Sequence, residues 1–81
     1  MDFEWDDRKA ARNVALHGVE FHDAVLVFRD LDRLESEDAR LDYGELRFVT
    51  VGFAGASILA VVYVEREGSI RIISARKATQ R

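Results

Sequence analysis

Eighty-one residues, 48% hydrophobic and 33% charged, suit a single small globular domain that buries about 60–65% of the surface its unfolded chain exposes. The chain has no cysteine, which excludes disulfides, thiol catalysis and thiolate metal sites. The net charge of −3 argues against a broad nucleic-acid-binding surface and admits only a local basic site.

The charge is unevenly placed. Residues 1–45 hold thirteen acids and six bases, whereas residues 46–81 hold two acids and six bases. Ten of the twelve bases are arginines, which contact phosphate through a planar fork and stay charged at any relevant pH. The acidic opening MDFEWDD lacks the apolar stretch of a signal peptide. The longest apolar run, Ile58 to Val64, is too short to span a bilayer. A cytoplasmic protein without membrane contact is the expectation.

Phe3 and Trp5 alternate with Asp2 and Glu4, which predicts a short first strand. Asp6 is a good N-cap, Ala10, Ala11, Val14 and Ala15 form an apolar stripe, and Gly18 suits a helix end. A helix over Asp7 to His17 follows. A second helix is predicted by Phe21, Ala24, Val25 and Phe28 at i, i+3, i+4 and i+7. Residues 29–45, acidic and poorly patterned, read as a connection, with one short edge strand near Leu34 as an option. Leu46–Phe53, Ile58–Arg66 and Ser69–Arg76 read as a meander, with turns at 54–57 and at Glu67-Gly68. The expected fold is α+β, in the order β-α-α-β-β-β, with an antiparallel sheet and the helices packed on one face. The expected core is Trp5, Phe21, Phe28, Val49, Val51, Val61 and Ile73.

Lys9, Asn13 and His17 fall at i, i+4 and i+8, along one edge of the first helix and away from its apolar stripe. A cation, an amide and an imidazole could meet a phosphate there; a solvated helix face is the alternative. In the last strand, alternation puts Arg71, Ile73, Ala75 and Lys77 on one face, and Ser74 and Arg76 on the other. These cations either face a phosphate or pair with the acids of residues 30–45. Arg47 could reach the same end of the sheet, Arg66 beside a turn is a secondary candidate, and His22 reads as surface. Two histidines in separate elements make no metal-ligand spacing, and there is no Gly-rich phosphate loop or nucleophile elbow. No metal and no cofactor are therefore expected. The remaining residues suit metal-free RNA cleavage, in which the 2′-hydroxyl attacks the adjacent phosphate. The protein then assists proton transfer and stabilises a dianionic phosphorane.

The segment EWDDRKAARNVALHGVEF, from Glu4 to Phe21, resembles the opening signature of the BrnT toxin family. The resemblance continues at Glu45 and Arg47-Phe48 and ends with RIISARKAT, from Arg71 to Thr79. It implies a RelE-like fold, ribonuclease activity on RNA, and neutralisation by a BrnA-like antitoxin. In that family the antitoxin carries the DNA-binding domain, so the toxin meets DNA only through it. The polar positions that match are Lys9, Asn13, His17, Arg47, Arg71, Ser74, Arg76 and Lys77. Trp5 and Gly18 match as packing and cap residues. Leu16 departs from the family, which usually carries a basic residue directly before the His-Gly pair. The family also continues into a C-terminal helix, whereas this sequence ends at Arg81. The residues thus support two readings: an active endoribonuclease toxin, or a catalytically impaired interaction module that keeps the fold and the antitoxin surface. Homo-oligomerisation stays open in both.

Overall fold

The Asp6 carboxylate accepts hydrogen bonds from the backbone N–H groups of Arg8 and Lys9, at 2.8 and 3.3 Å. It thereby caps helix α1, Asp7–His17, which has the predicted bounds. Gly18 ends the helix at φ 70°, and its N–H donates to the Val14 carbonyl. The computed structural model describes residues 1–42 and 44–78, with the side chains of all of these except 39–42. Strand β1, Asp2–Glu4, precedes α1, and helix α2, Phe21–Val27, follows it. Four strands come next: β2 Leu34–Asp42, β3 Glu45–Ala54, β4 Ser57–Arg66 and β5 Ser69–Lys77. All five strands form one sheet in the order β1-β5-β4-β3-β2.

Two expectations are corrected. The sheet is mixed rather than antiparallel, because β1 pairs in parallel with β5, Glu4 opposite Arg71. No hairpin joins β1 to its neighbour, so no local turn imposes its direction. The helices also lead into four strands, not three. The edge strand weighed near Leu34 does begin there, but as β2 it takes up nine residues of the acidic segment and pairs antiparallel with β3. It is an edge strand, and its charges discourage pairing with other chains. Those same charges hide its periodicity.

Central β4 is flanked on both sides, which accounts for its unbroken apolar run. Leu59, Val61 and Tyr63 point to one face and pack with Phe21, Ala24 and Val27 of α2 and with Ile70, Ile72 and Ala75 of β5. Ala60, Val62 and Val64 alternate to the other face and are buried as well. Of the expected core, Phe21 and Val61 are fully buried, while half-buried Trp5 and Phe28 pack against the cluster. Val49, Val51 and Ile73 are only half-buried and lie outside it. The Tyr63 side chain is buried, its hydroxyl donates to exposed Glu35 of β2, and burial pushes the phenol above its usual range.

Gly52 of β3 lies close beneath the end of α2 and the turn that follows it. A Cβ there would stand 2.9 Å from Asp30 Oδ2, 3.0 Å from Arg33 Cβ and 3.2 Å from Val27 Cγ1. Asp30 Oδ2 also accepts the Phe53 N–H at 2.9 Å, so it cannot retreat freely. Gly52→Ala is therefore expected to destabilise the protein by about 1–3 kcal/mol, through overpacking. A lower urea midpoint would register it; an unchanged midpoint would mean that the turn at Asp30 yields.

Candidate functional site

Strand β1 covers β5 only from Ser69 to Arg71, so the outer edge of β5 beyond that point needs other hydrogen-bond partners. Asn13 of α1 supplies them. Its amide nitrogen donates to the carbonyls of Ala75 at 2.7 Å and Val19 at 3.0 Å, and its Oδ1 accepts the Ala75 N–H at 3.1 Å. Asn13 is only 5% exposed, and both amide protons are used. The structure thus shows Asn13 joining helix to strand.

The second device lies in β5. Tyr63 of β4 pairs with Ile72, and Val62 pairs with Ser74, so Ile73 is an extra residue that bulges from the ladder. The bulge reverses the parity of everything after it. Arg71 shares its face with Ser74 and Arg76, whereas Ala75 and Lys77 turn toward the helix-covered side. Simple alternation, which separates Arg71 from Arg76, is corrected accordingly. Lys77 instead lines a separate pocket with Gly18, Val19 and Asp23.

Two adjoining pockets flank the α1–β5 seam, and both are lined by Lys9 and Ile73. One, of about 190 Å³, is completed by Arg12, Asn13, Leu16, His17 and Ser74. The other, of about 170 Å³, is completed by Asp6, Glu45, Arg47, Val64, Arg66 and Arg71. Of the predicted residues, Lys9, Asn13, His17, Arg47, Arg66, Arg71 and Ser74 are therefore brought to one groove made of these two pockets. Arg76, exposed and opposite Ala60, extends the row beyond Ser74 without lining either pocket. Sequence reasoning missed Arg12 as a groove residue. Its signal was the i, i+4 step from Arg12 to Leu16, parallel to that from Lys9 to Asn13. His22, read as isolated surface, is exposed and packs edge-on against Trp5 with ring centroids 5.0 Å apart.

The second pocket is cationic despite its acids: Lys9, Arg47, Arg66 and Arg71 face Asp6 and Glu45. Arg66 is held by Glu45 in a bidentate pair of 2.6 and 2.8 Å, and Arg71 meets Glu4 at 3.3 Å. Lys9, Arg12, His17 and Arg76 make no ion pair among the described residues. The groove can therefore receive an anion, with Arg71 able to exchange a half-exposed carboxylate for a phosphate. Among the described residues no group of three or more histidine, cysteine or carboxylate side chains is placed to hold a metal ion. No helix among them is long and apolar enough to cross a membrane.

Three carboxylates are held below their usual range. Asp6 is held by the N–H groups of Arg8 and Lys9, Asp30 by those of Phe53 and Asp32, and Glu45 by the Arg66 guanidinium. A depressed folded-state value means stability that is present above the unfolded values, 3.8 for aspartate and 4.5 for glutamate, and lost as pH falls through the folded ones. Stability from these groups should thus be constant between about pH 7 and 5 and fall below about pH 4. Urea midpoints across that range check this; a midpoint that stays flat down to pH 3 would contradict it.

Comparison with known families gives a match over residues 5–81 to a family model described as the ribonuclease toxin BrnT of type II toxin–antitoxin systems. No curated protein matches the chain.

Proposed function

The chain belongs to the BrnT family of type II toxin–antitoxin ribonuclease toxins, and on that premise we propose that it is a metal-independent endoribonuclease acting in the cytoplasm. In this reading the fold is RelE-like and the 2′-hydroxyl of RNA attacks the adjacent phosphate. Arg71, Arg76, Arg47 and Lys9 stabilise the negative charge that grows on the phosphorane oxygens. Arg66 and Ser74 contact the RNA beside the scissile phosphate, and His17, exposed at the end of α1, transfers a proton. A BrnA-like antitoxin neutralises the protein and links it to DNA.

The observation that carries this reading is the bulge at Ile73. It turns Arg71, Ser74 and Arg76 to one face, beside the groove that Lys9 and His17 also line. The impaired-module reading draws on the Arg66–Glu45 and Arg71–Glu4 pairs, which occupy two of the cations. Purified protein incubated with RNA in EDTA separates the two. Cleavage is expected; its absence with a folded protein would favour the interaction module, and cleavage only after Mg²⁺ addition would refute the mechanism. In the same assay His17→Gln should abolish one limb of the pH–rate profile at an unchanged melting temperature. Near-wild-type cleavage by that variant would remove His17 and leave the arginine–lysine cluster as the site.

A further inference from the structure

The two pockets at the α1–β5 seam differ in character. The one that holds Arg71, Arg47 and Arg66 is charged on nearly every side. The one between α1 and the bulge is lined by the apolar side chains of Leu16 and Ile73 together with Lys9, Arg12, Asn13, His17 and Ser74. Leu16 is 69% exposed, on a helix whose other groove-facing residues are cationic or polar. Ile73, the bulged residue, lines both pockets and so stands between them. Asn13, which also lines this pocket, ties α1 to Ala75 of β5 through two hydrogen bonds.

Building on the ribonuclease reading, we infer that the Leu16–Ile73 pocket binds the nucleobase next to the scissile phosphate and so sets base preference. A phosphate suits the arginine pocket, where its charge is met. A base has two apolar π-faces and a polar edge, and it suits a slot with aliphatic walls and hydrogen-bonding margins. The Leu16 and Ile73 side chains contact its faces, the Arg12 guanidinium offers a planar cation for stacking, and the Ser74 hydroxyl can donate to or accept from its edge. Lys9, common to both pockets, contacts the scissile phosphate from the side of the base. Leu16 is then a specificity residue.

The test uses 2′-O-methyl dinucleotides of each of the four bases, which lack the attacking hydroxyl, and a dinucleotide analogue of the same backbone without bases. Affinities are measured by titration, and the site is read from amide chemical-shift changes. At least one base-bearing ligand should bind about tenfold more tightly than the abasic one, with the shifts of Leu16, His17 and Ser74 perturbed. Leu16→Ser, at an exposed position that does not threaten folding, should remove most of that preference while the abasic ligand binds as before. Equal affinity for abasic and base-bearing ligands, or an unaltered preference in Leu16→Ser, would overturn the inference and leave the ribonuclease reading standing. Failure of the wild-type protein to bind any of these ligands would overturn both.

Discussion

Replacing Arg76 by alanine is expected to slow RNA cleavage by about a hundred- to a thousandfold, by analogy with the removal of one donor to a developing anion. The same change should move folding stability by less than about 0.5 kcal/mol, because Arg76 is exposed and makes no ion pair among the described residues. Arg71→Ala should lower the rate comparably. Its stability cost is also small, since the Glu4 pair it abandons is half-exposed and screened by solvent. Rates and melting temperatures of both variants check this together. A variant that retains wild-type activity removes its arginine from the mechanism. A variant whose activity falls only in step with its stability shows that the guanidinium serves the fold.

Asn13→Ala is the substitution with the largest expected structural effect. It removes both donors and the acceptor that join α1 to β5, and it strands the Ala75 N–H, the Ala75 carbonyl and the Val19 carbonyl in a buried setting. Leaving buried polar groups without partners costs about 1–3 kcal/mol each before relaxation, so a net loss of roughly 2–4 kcal/mol is expected. The urea midpoint should fall by about 1 M or more. Asn13→Asp sharpens the result, since it keeps the shape and the acceptor but sets carboxylate oxygens against two carbonyls. It should be at least as unstable as the alanine variant. A loss below about 0.5 kcal/mol in both would show that α1 is held by apolar contacts instead.

Most of the architecture was legible because local rules and tertiary packing agree. The Asp6 cap, the Gly18 stop and the Gly-containing turns mark α1 and the β3–β5 meander to within a residue or two. What escaped depends on interactions that periodicity does not encode. Strand β2 presents acids where a strand normally presents apolar residues, because an edge needs charge more than burial. The parallel placement of β1 follows from where the helices deliver the chain, not from any turn. The Ile73 bulge is invisible within RIISARK, yet it decides which arginines share a face. Asn13 drew notice for its position beside Lys9 and His17, but its amide faces the backbone of β5. The cations of the groove were legible as residue types, and their division between two pockets was not.

The central claim is attack by the 2′-hydroxyl, and the chemical ends of the products test it most directly. An RNA with a single cleavage site, incubated with the wild-type protein in EDTA, should give an upstream fragment ending in a 2′,3′-cyclic phosphate and a downstream fragment beginning with a 5′-hydroxyl. A 3′-hydroxyl and a 5′-phosphate, or cleavage of a strand with 2′-deoxyribose at the site, would mean that water attacks instead and would contradict the mechanism.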